Sequence, residues 1–170
     1  SDMPRVQFLE AGPYKLSLDR PLVMGIVNIT PDSFSDGGKF FTADRAIAHA
    51  RALVAEGADI LDLGAESPRP AAQPASAADE LGRLLPVLDA TRTLGLPISV
   101  DTTKPEVMQV AIAQGAAIVN DVRALTEPGA VATIAVTRAA VCLMHMQGEP
   151  RTMQQAPHYD NVVAEVRAFL

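Results

Sequence analysis

Short apolar runs alternate with stretches of helical period along most of the chain. Five runs read as strands: Leu22–Asn28, Ala58–Gly64, Pro97–Asp101, Ala117–Val122 and Ala140–Met146. Each is apolar at nearly every position, the pattern of a parallel strand covered on both faces. Between them the apolar residues recur every three or four positions. Ala46, Ile47, Ala50, Leu53 and Val54 place one face on a helix over 43–56, with Thr42 as its N-cap and Gly57 just past its end. Leu81, Leu84, Leu85 and Leu88 do the same for a helix over 77–94 capped by Ser76, which Pro86 should kink or restart. Pro105 opens a third helix that carries Val107, Val110 and Ala111 and stops at Gly115. A fourth covers 130–138, and a fifth starts near Asn161 and runs to Leu170. Ahead of all these, 8–18 reads as a hairpin turning at Gly12-Pro13.

An amino-terminal hairpin followed by about five β/α units is an α/β pattern, either a doubly wound sheet or a (β/α)8 TIM-type barrel. No G-x-G-x-x-G follows the first long strand, so nothing favours dinucleotide binding. Polar residues gather after every strand instead, at 28–36, 66–69, 101–104, 120–123 and 145–147. That suits a barrel, whose site is assembled from many strand ends. A barrel has eight strands in about 250 residues. The 170 residues here are expected to be its amino-terminal three-fifths, a single barrel domain over 1–170 that is incomplete at its carboxyl end.

The strand ends carry the candidate chemistry. Asp62, Asp101, Asn120 and Asp121 close consecutive strands. One such residue alone reads as a solvated cap, but several in succession point to a shared pocket. Asp101 and Asn120 are expected to converge there. A carboxylate beside an amide suits a flat heterocycle with an amidine-like edge. Asn28 fits two readings equally from spacing, a turn former before Thr30-Pro31 or an oxygen ligand for a hard cation such as Mg2+. Asp32, Ser33, Phe34, Ser35 and Asp36 with Gly37-Gly38 form one polar loop, expected to be mobile. Ala65-Glu66-Ser67-Pro68-Arg69-Pro70 forms another, in which Arg69 reads as an anion clamp or as a partner of Glu66. His145 reads as a structural histidine, and His49 and His158 as surface positions. No second His stands at zinc spacing, and no motif for covalent catalysis is present.

Composition narrows the picture further. The net charge of −6 argues against nucleic acid as a partner, since phosphate neutralisation needs a basic surface. No apolar run reaches the length of about 18 residues that a membrane span needs. The single Cys142 excludes a disulfide framework, fits a reducing cytoplasmic setting, and reads as a small core residue.

The string Met24-Gly25-Ile26-Val27-Asn28-Ile29-Thr30-Pro31-Asp32-Ser33-Phe34-Ser35-Asp36-Gly37-Gly38 resembles the first signature of dihydropteroate synthases. Three further segments agree in order: Asp62–Pro70, Ser99–Val107 with Asn120-Asp121, and Leu143–Gly148. The resemblance implies a pterin-binding barrel that joins 7,8-dihydropterin-6-ylmethyl pyrophosphate to p-aminobenzoate and releases pyrophosphate. It implies Asn28 as the Mg2+ ligand, Asp101 and Asn120 as pterin-edge contacts with Asp62 close by, and Met144 and Val122 lining the pterin slot. Thr30, Pro31, Asp32, Ser33, Phe34, Ser35 and Asp36, with Ser67, Pro68, Arg69 and Pro70, are implied as the loops around pyrophosphate and p-aminobenzoate. Catalytic roles are implied for Asp101 and Asn28, and a homodimer for the intact protein.

Two features depart from that pattern. The family string Gly-Glu-Ser-Thr-Arg-Pro is here Ala65-Glu66-Ser67-Pro68-Arg69-Pro70, so Pro68 replaces a hydroxyl expected to touch pyrophosphate. The family's later Asp, Lys, Arg and His lie beyond the strands given, so this stretch alone is expected to be inactive. The alternatives are a methyltetrahydrofolate-binding methyltransferase domain, which has no need of the 30–38 loop, and a non-catalytic pterin-binding protein.

Overall fold

The computed structural model of the chain describes residues 7–30, 38–66, 73–145 and 158–170, with backbone alone for 38–41. β1 (Phe8–Ala11) and β2 (Tyr14–Ser17) form an antiparallel hairpin. Then follow β3 (Met24–Asn28), α1 (Gly38–Ala55), β4 (Ile60–Gly64), α2 (Ala77–Thr91), β5 (Ile98–Asp101), α3 (Pro105–Ala113), β6 (Ile118–Asp121), α4 (Ala130–Ala135), β7 (Ala140–Leu143) and α5 (Val162–Phe169).

β3 to β7 form one parallel sheet in strict sequence order. A doubly wound sheet reverses its strand order and sends helices to both faces; a barrel does neither. Here α1 packs on α2, α2 on α3 and α3 on α4, all along one side. The order and the one-sided helices are those of an arc of a TIM-type barrel.

Strand register assigns the two faces. Val27, Leu61, Leu63, Ile98 and Val100 point outward and are buried with Ala46, Ala50, Leu84, Val87, Leu88 and Val107 of the helices. The lower part of the inner face, Ile60, Ile118 and Ala140, is closed by the hairpin through Leu9, Ala11, Tyr14 and Leu16. The Gly12 N–H donates to the Arg138 carbonyl at 2.9 Å, fastening the hairpin turn to the start of β7. Arg20 grips Asp59 at 2.6 and 3.1 Å, and Asp59 also accepts the Val23 N–H, which fixes the entry to β3. The upper inner face is left to polar side chains.

Several expectations need correction. α1 starts at Gly38, so Thr42 lies inside the helix and is not its cap. α2 is continuous across Pro86, because Pro86 and Gly82 are exposed and the one carbonyl left without a helical donor faces water. That helix ends at Thr91 rather than Leu94, and α4 ends at Ala135 rather than Arg138. Only β4 is buried at every position; β3 alternates and β7 is buried at Ala140 alone, since these outer strands of the sheet are less covered. The Ser76 side chain accepts the Asp79 N–H as a cap should.

Candidate active site at the carboxyl ends of the strands

The sheet register puts the polar strand ends in one row. Asn28 pairs with Gly64, Gly64 with Asp101, and Asp101 with Asn120. Registered neighbours in a parallel sheet point to the same face, about 4.8 Å apart. Asn28, Asp101 and Asn120 therefore project together from the inner face. Gly64 leaves a gap in that row: a methyl group there would meet Asp101 Oδ2 at 3.6 Å and Asn28 Oδ1 at 3.9 Å. Both oxygens overlook the same space.

One layer deeper lie Asp62 and Ser99, registered side by side and buried. The Asn120 amide donates to Asp62 Oδ2 at 3.1 Å, leaning across β5 to do so. Asp62 Oδ1 and Ser99 Oγ are buried without a hydrogen-bond partner among the described residues. Acceptors of this kind are costly unless a ligand or solvent serves them. Val122 and Met144, both half-buried, follow β6 and β7, and the Met144 N–H donates to the Asp121 carbonyl at 3.3 Å. Thr30, half-buried, follows Ile29, whose N–H donates to the Gly64 carbonyl at 2.7 Å.

Burial, followed by the charges of Asp62, Asp121, Glu80 and Glu66, pushes the Asp101 carboxyl up to about 7. At neutral pH it is divided between its two protonation states.

The family model described as pterin binding enzyme matches residues 24–170. The chain belongs to this pterin-binding enzyme family. It is 51% identical over 155 residues to the dihydropteroate synthase of Escherichia coli K12, covering 91% of this chain and 55% of that protein. Among solved structures, dihydropteroate synthase of Xanthomonas albilineans with 4-aminobenzoic acid superposes with a TM-score of 0.82 at 52% identity, over 96% of this chain and 58% of that one. The Burkholderia cenocepacia enzyme complexed with 7,8-dihydropteroate gives 0.81 at 44% identity, over 96% and 55%. The chain spans about half the length of the curated relatives it matches.

Within this family member Asn28, Asp101 and Asn120 at the strand ends come together with Asp62. Asp62 does not close its strand as expected but is the middle residue of β4, because Leu63 and Gly64 continue the pairing with both neighbours. Val122, Met144 and Thr30 follow their strands nearby. Pro31, Asp32, Ser33, Phe34, Ser35, Asp36, Ser67, Pro68, Arg69 and Pro70 lie outside the described residues. Asp121, which closes β6 beside Asn120, faces the other way: its carboxylate accepts the N–H groups of Arg123 and Leu125 at 2.8 and 2.9 Å. It thereby holds Ala124 and Leu125 at positive φ of 53° and 59°. Cys142 is exposed and not a core residue, because its register with Asn120 turns it to the open inner face. His145 is partnered as a structural residue, with Tyr159 Oη at 3.1 Å and the Phe169 ring edge-on. His49 and His158 are exposed.

The sequence reading missed Ser99, Glu80, Thr102 and Lys104. A signal existed for Glu80, which stands four and eight residues before Leu84 and Leu88 on the apolar face of its helix. An open cleft of about 600 Å³ at the opposite end of the strands includes Tyr14, Arg20 and Asp59. Its Arg20 and Asp59 already pair with each other, and none of Asn28, Asp101 and Asn120 lines it, so the candidate site stays with the carboxyl ends.

Proposed function

We propose that this chain supplies the pterin-binding part of a dihydropteroate synthase. In this reading, 7,8-dihydropterin-6-ylmethyl pyrophosphate and p-aminobenzoate are joined to dihydropteroate with release of pyrophosphate. The single observation that carries the reading is the row Asn28, Asp101 and Asn120 over the buried Asp62, in a chain half-identical to such synthases. The pterin-binding unit extends over 1–170, and the rest of the site comes from segments that the relatives have beyond the matched half.

Asn120 and Asp62 exchange their mutual hydrogen bond for the pterin edge, the amide donating and accepting and the carboxylate taking ring N–H groups. The second, unpartnered oxygen of Asp62 adds an acceptor at no cost in broken bonds. Asp101, ionised as positive charge develops on the pterin methylene carbon, stabilises that carbon while the carbon–oxygen bond to pyrophosphate breaks. The aryl amine of p-aminobenzoate then attacks the carbon and loses its proton. Val122 and Met144 exclude water from the pterin slot, which protects the cation from hydrolysis.

The donor set near Gly64 fits Mg2+ held by one protein oxygen and completed by phosphate and water, with Asn28 as that ligand. No cluster of three His, Cys, Asp or Glu suited to a metal occurs among the described residues; one Asn oxygen is too little for a cage, so the ion would be completed by substrate oxygens and water. When bound, it would neutralise charge building on pyrophosphate. A cytoplasmic setting and a homodimer of the intact protein belong to the same reading; no helix among the described residues is long and apolar enough to cross a membrane.

Pyrophosphate release on mixing the full-length protein with both substrates and Mg2+ tests the reading. Pterin binding without pyrophosphate release would replace it with a non-catalytic pterin-binding protein; methyl transfer from methyltetrahydrofolate would replace it with the methyltransferase.

A further inference from the structure

Glu80 is buried on α2, with 1% of its side chain exposed, and takes no part in the chemistry above. Both of its oxygens are engaged by the loop that follows β5. Thr102 Oγ1 donates to Oε1 at 3.1 Å, and Lys104 Nζ lies 2.5 Å from Oε2. The same ammonium donates to Glu66 Oε2 at 3.1 Å, at the start of the loop that follows β4. Thr102 Oγ1 also accepts the Lys104 N–H at 3.2 Å, and Arg83 of α2 donates to the Ala65 carbonyl at 3.0 Å. Burial works against the Lys104 charge, but Glu80 and Glu66 outweigh it and hold its pKa above the ordinary value. A buried carboxylate is tolerable only with such a partner.

We propose that Lys104, seated on Glu80, is a positioning residue that locks the root of the β4 loop to the end of β5. One ammonium spans three elements, so Ala65-Glu66 cannot shift relative to Thr102 and its neighbour Asp101 without losing an ion pair. The next residues, 67–70, are those assigned to p-aminobenzoate and pyrophosphate. The inference rests on the synthase reading for that assignment, and on geometry alone for the lock. Lys104 acts through Glu66 and is not a catalytic residue.

Glu66→Gln is the deciding variant, because Lys104 stays on Glu80 and no buried charge is left unpaired; Lys104→Gln would strand Glu80 and risk unfolding. Steady-state kinetics of the full-length protein should show KM for p-aminobenzoate raised about tenfold, with kcat and the pterin KM changed less than about twofold. Lys104→Arg, which keeps the charge and the reach, should hold KM for p-aminobenzoate within about threefold of the parent. An unchanged KM in Glu66→Gln, or an equal rise for both substrates, would overturn the lock. Hydrogen exchange separates this from the synthase reading. Amides of Ala65 and Glu66 should exchange about tenfold faster in Glu66→Gln while those of β4 stay protected. Should the parent protein release no pyrophosphate, the synthase reading falls and the exchange result alone decides the lock; unchanged exchange would refute it.

Discussion

Replacing Asp101 with Asn should make the protein more stable at neutral and higher pH and impair its catalysis. The Asp101 carboxyl titrates near 7 in the folded protein against an ordinary 3.8, chiefly because of burial and then because four carboxylates surround it. The folded state therefore holds this proton more tightly than the unfolded chain does. Below about pH 3.8 both states are protonated, and the contribution of the group to stability is fully present. As pH rises toward about 7 the unfolded chain releases its proton first, and that stability is lost; above 7 the loss is complete. A gap of about three pH units at about 1.4 kcal/mol each sets a ceiling of about 4 kcal/mol. Asp101 is half-buried, so solvent screens part of this, and about 1–3 kcal/mol is the expected span. Asn keeps the shape and lacks the titration. Urea unfolding of both proteins, in chelator and at a series of pH values from about 4 to 8, gives the difference directly. The advantage of Asn over Asp should grow through that range and level off above about 7. A difference that is flat or shrinks with pH refutes the charge cluster as the source. In the same variant the turnover should fall by about 10²–10³, the cost of removing one charge aimed at the developing cation.

The remaining predictions concern the gap, a cap and a loop. Gly64→Ala places a methyl group in ordinary contact with Asp101 and Asn28, so unfolding should shift by less than about 1 kcal/mol while pterin affinity falls at least about tenfold; unchanged affinity in calorimetry would exclude that gap as a ligand path. Ser76→Ala removes the hydroxyl that caps α2 and should lower stability by about 0.5–2 kcal/mol in urea titration, whereas Ser76→Asp should not. Pro68→Thr restores the hydroxyl of the family pattern and should raise kcat/KM for the pterin substrate by up to about tenfold to a hundredfold; steady-state kinetics showing no gain would mean that Pro68 is accommodated by its neighbours.

The linear sequence determined the alternation of strands and helices, because burial on both faces of a parallel sheet and on one face of a helix leaves periodic marks in the chain. All five sheet strands and the hairpin fall within the segments read from those marks. Strand ends were legible at Asp101 and at Asn120-Asp121, where an apolar run stops at polar residues, but Asp62, read as a strand end, is the middle residue of β4. Helix starts were less so: Thr42 has the chemistry of a cap, but α1 begins four residues before it. Only the tertiary structure decided which strand-end groups share a face. Asn120 and Asp121 are adjacent in sequence and equally polar, yet the two-residue period of a strand sends one to the pocket and the other to a loop behind the sheet. The same register brought Cys142 out beside Asn120 against the expectation for a lone apolar-run cysteine. Glu80, Lys104 and Glu66 stand in three separate segments. Their ion pairs depend on how α2 packs on the sheet, and no local pattern of residue types encodes that distance.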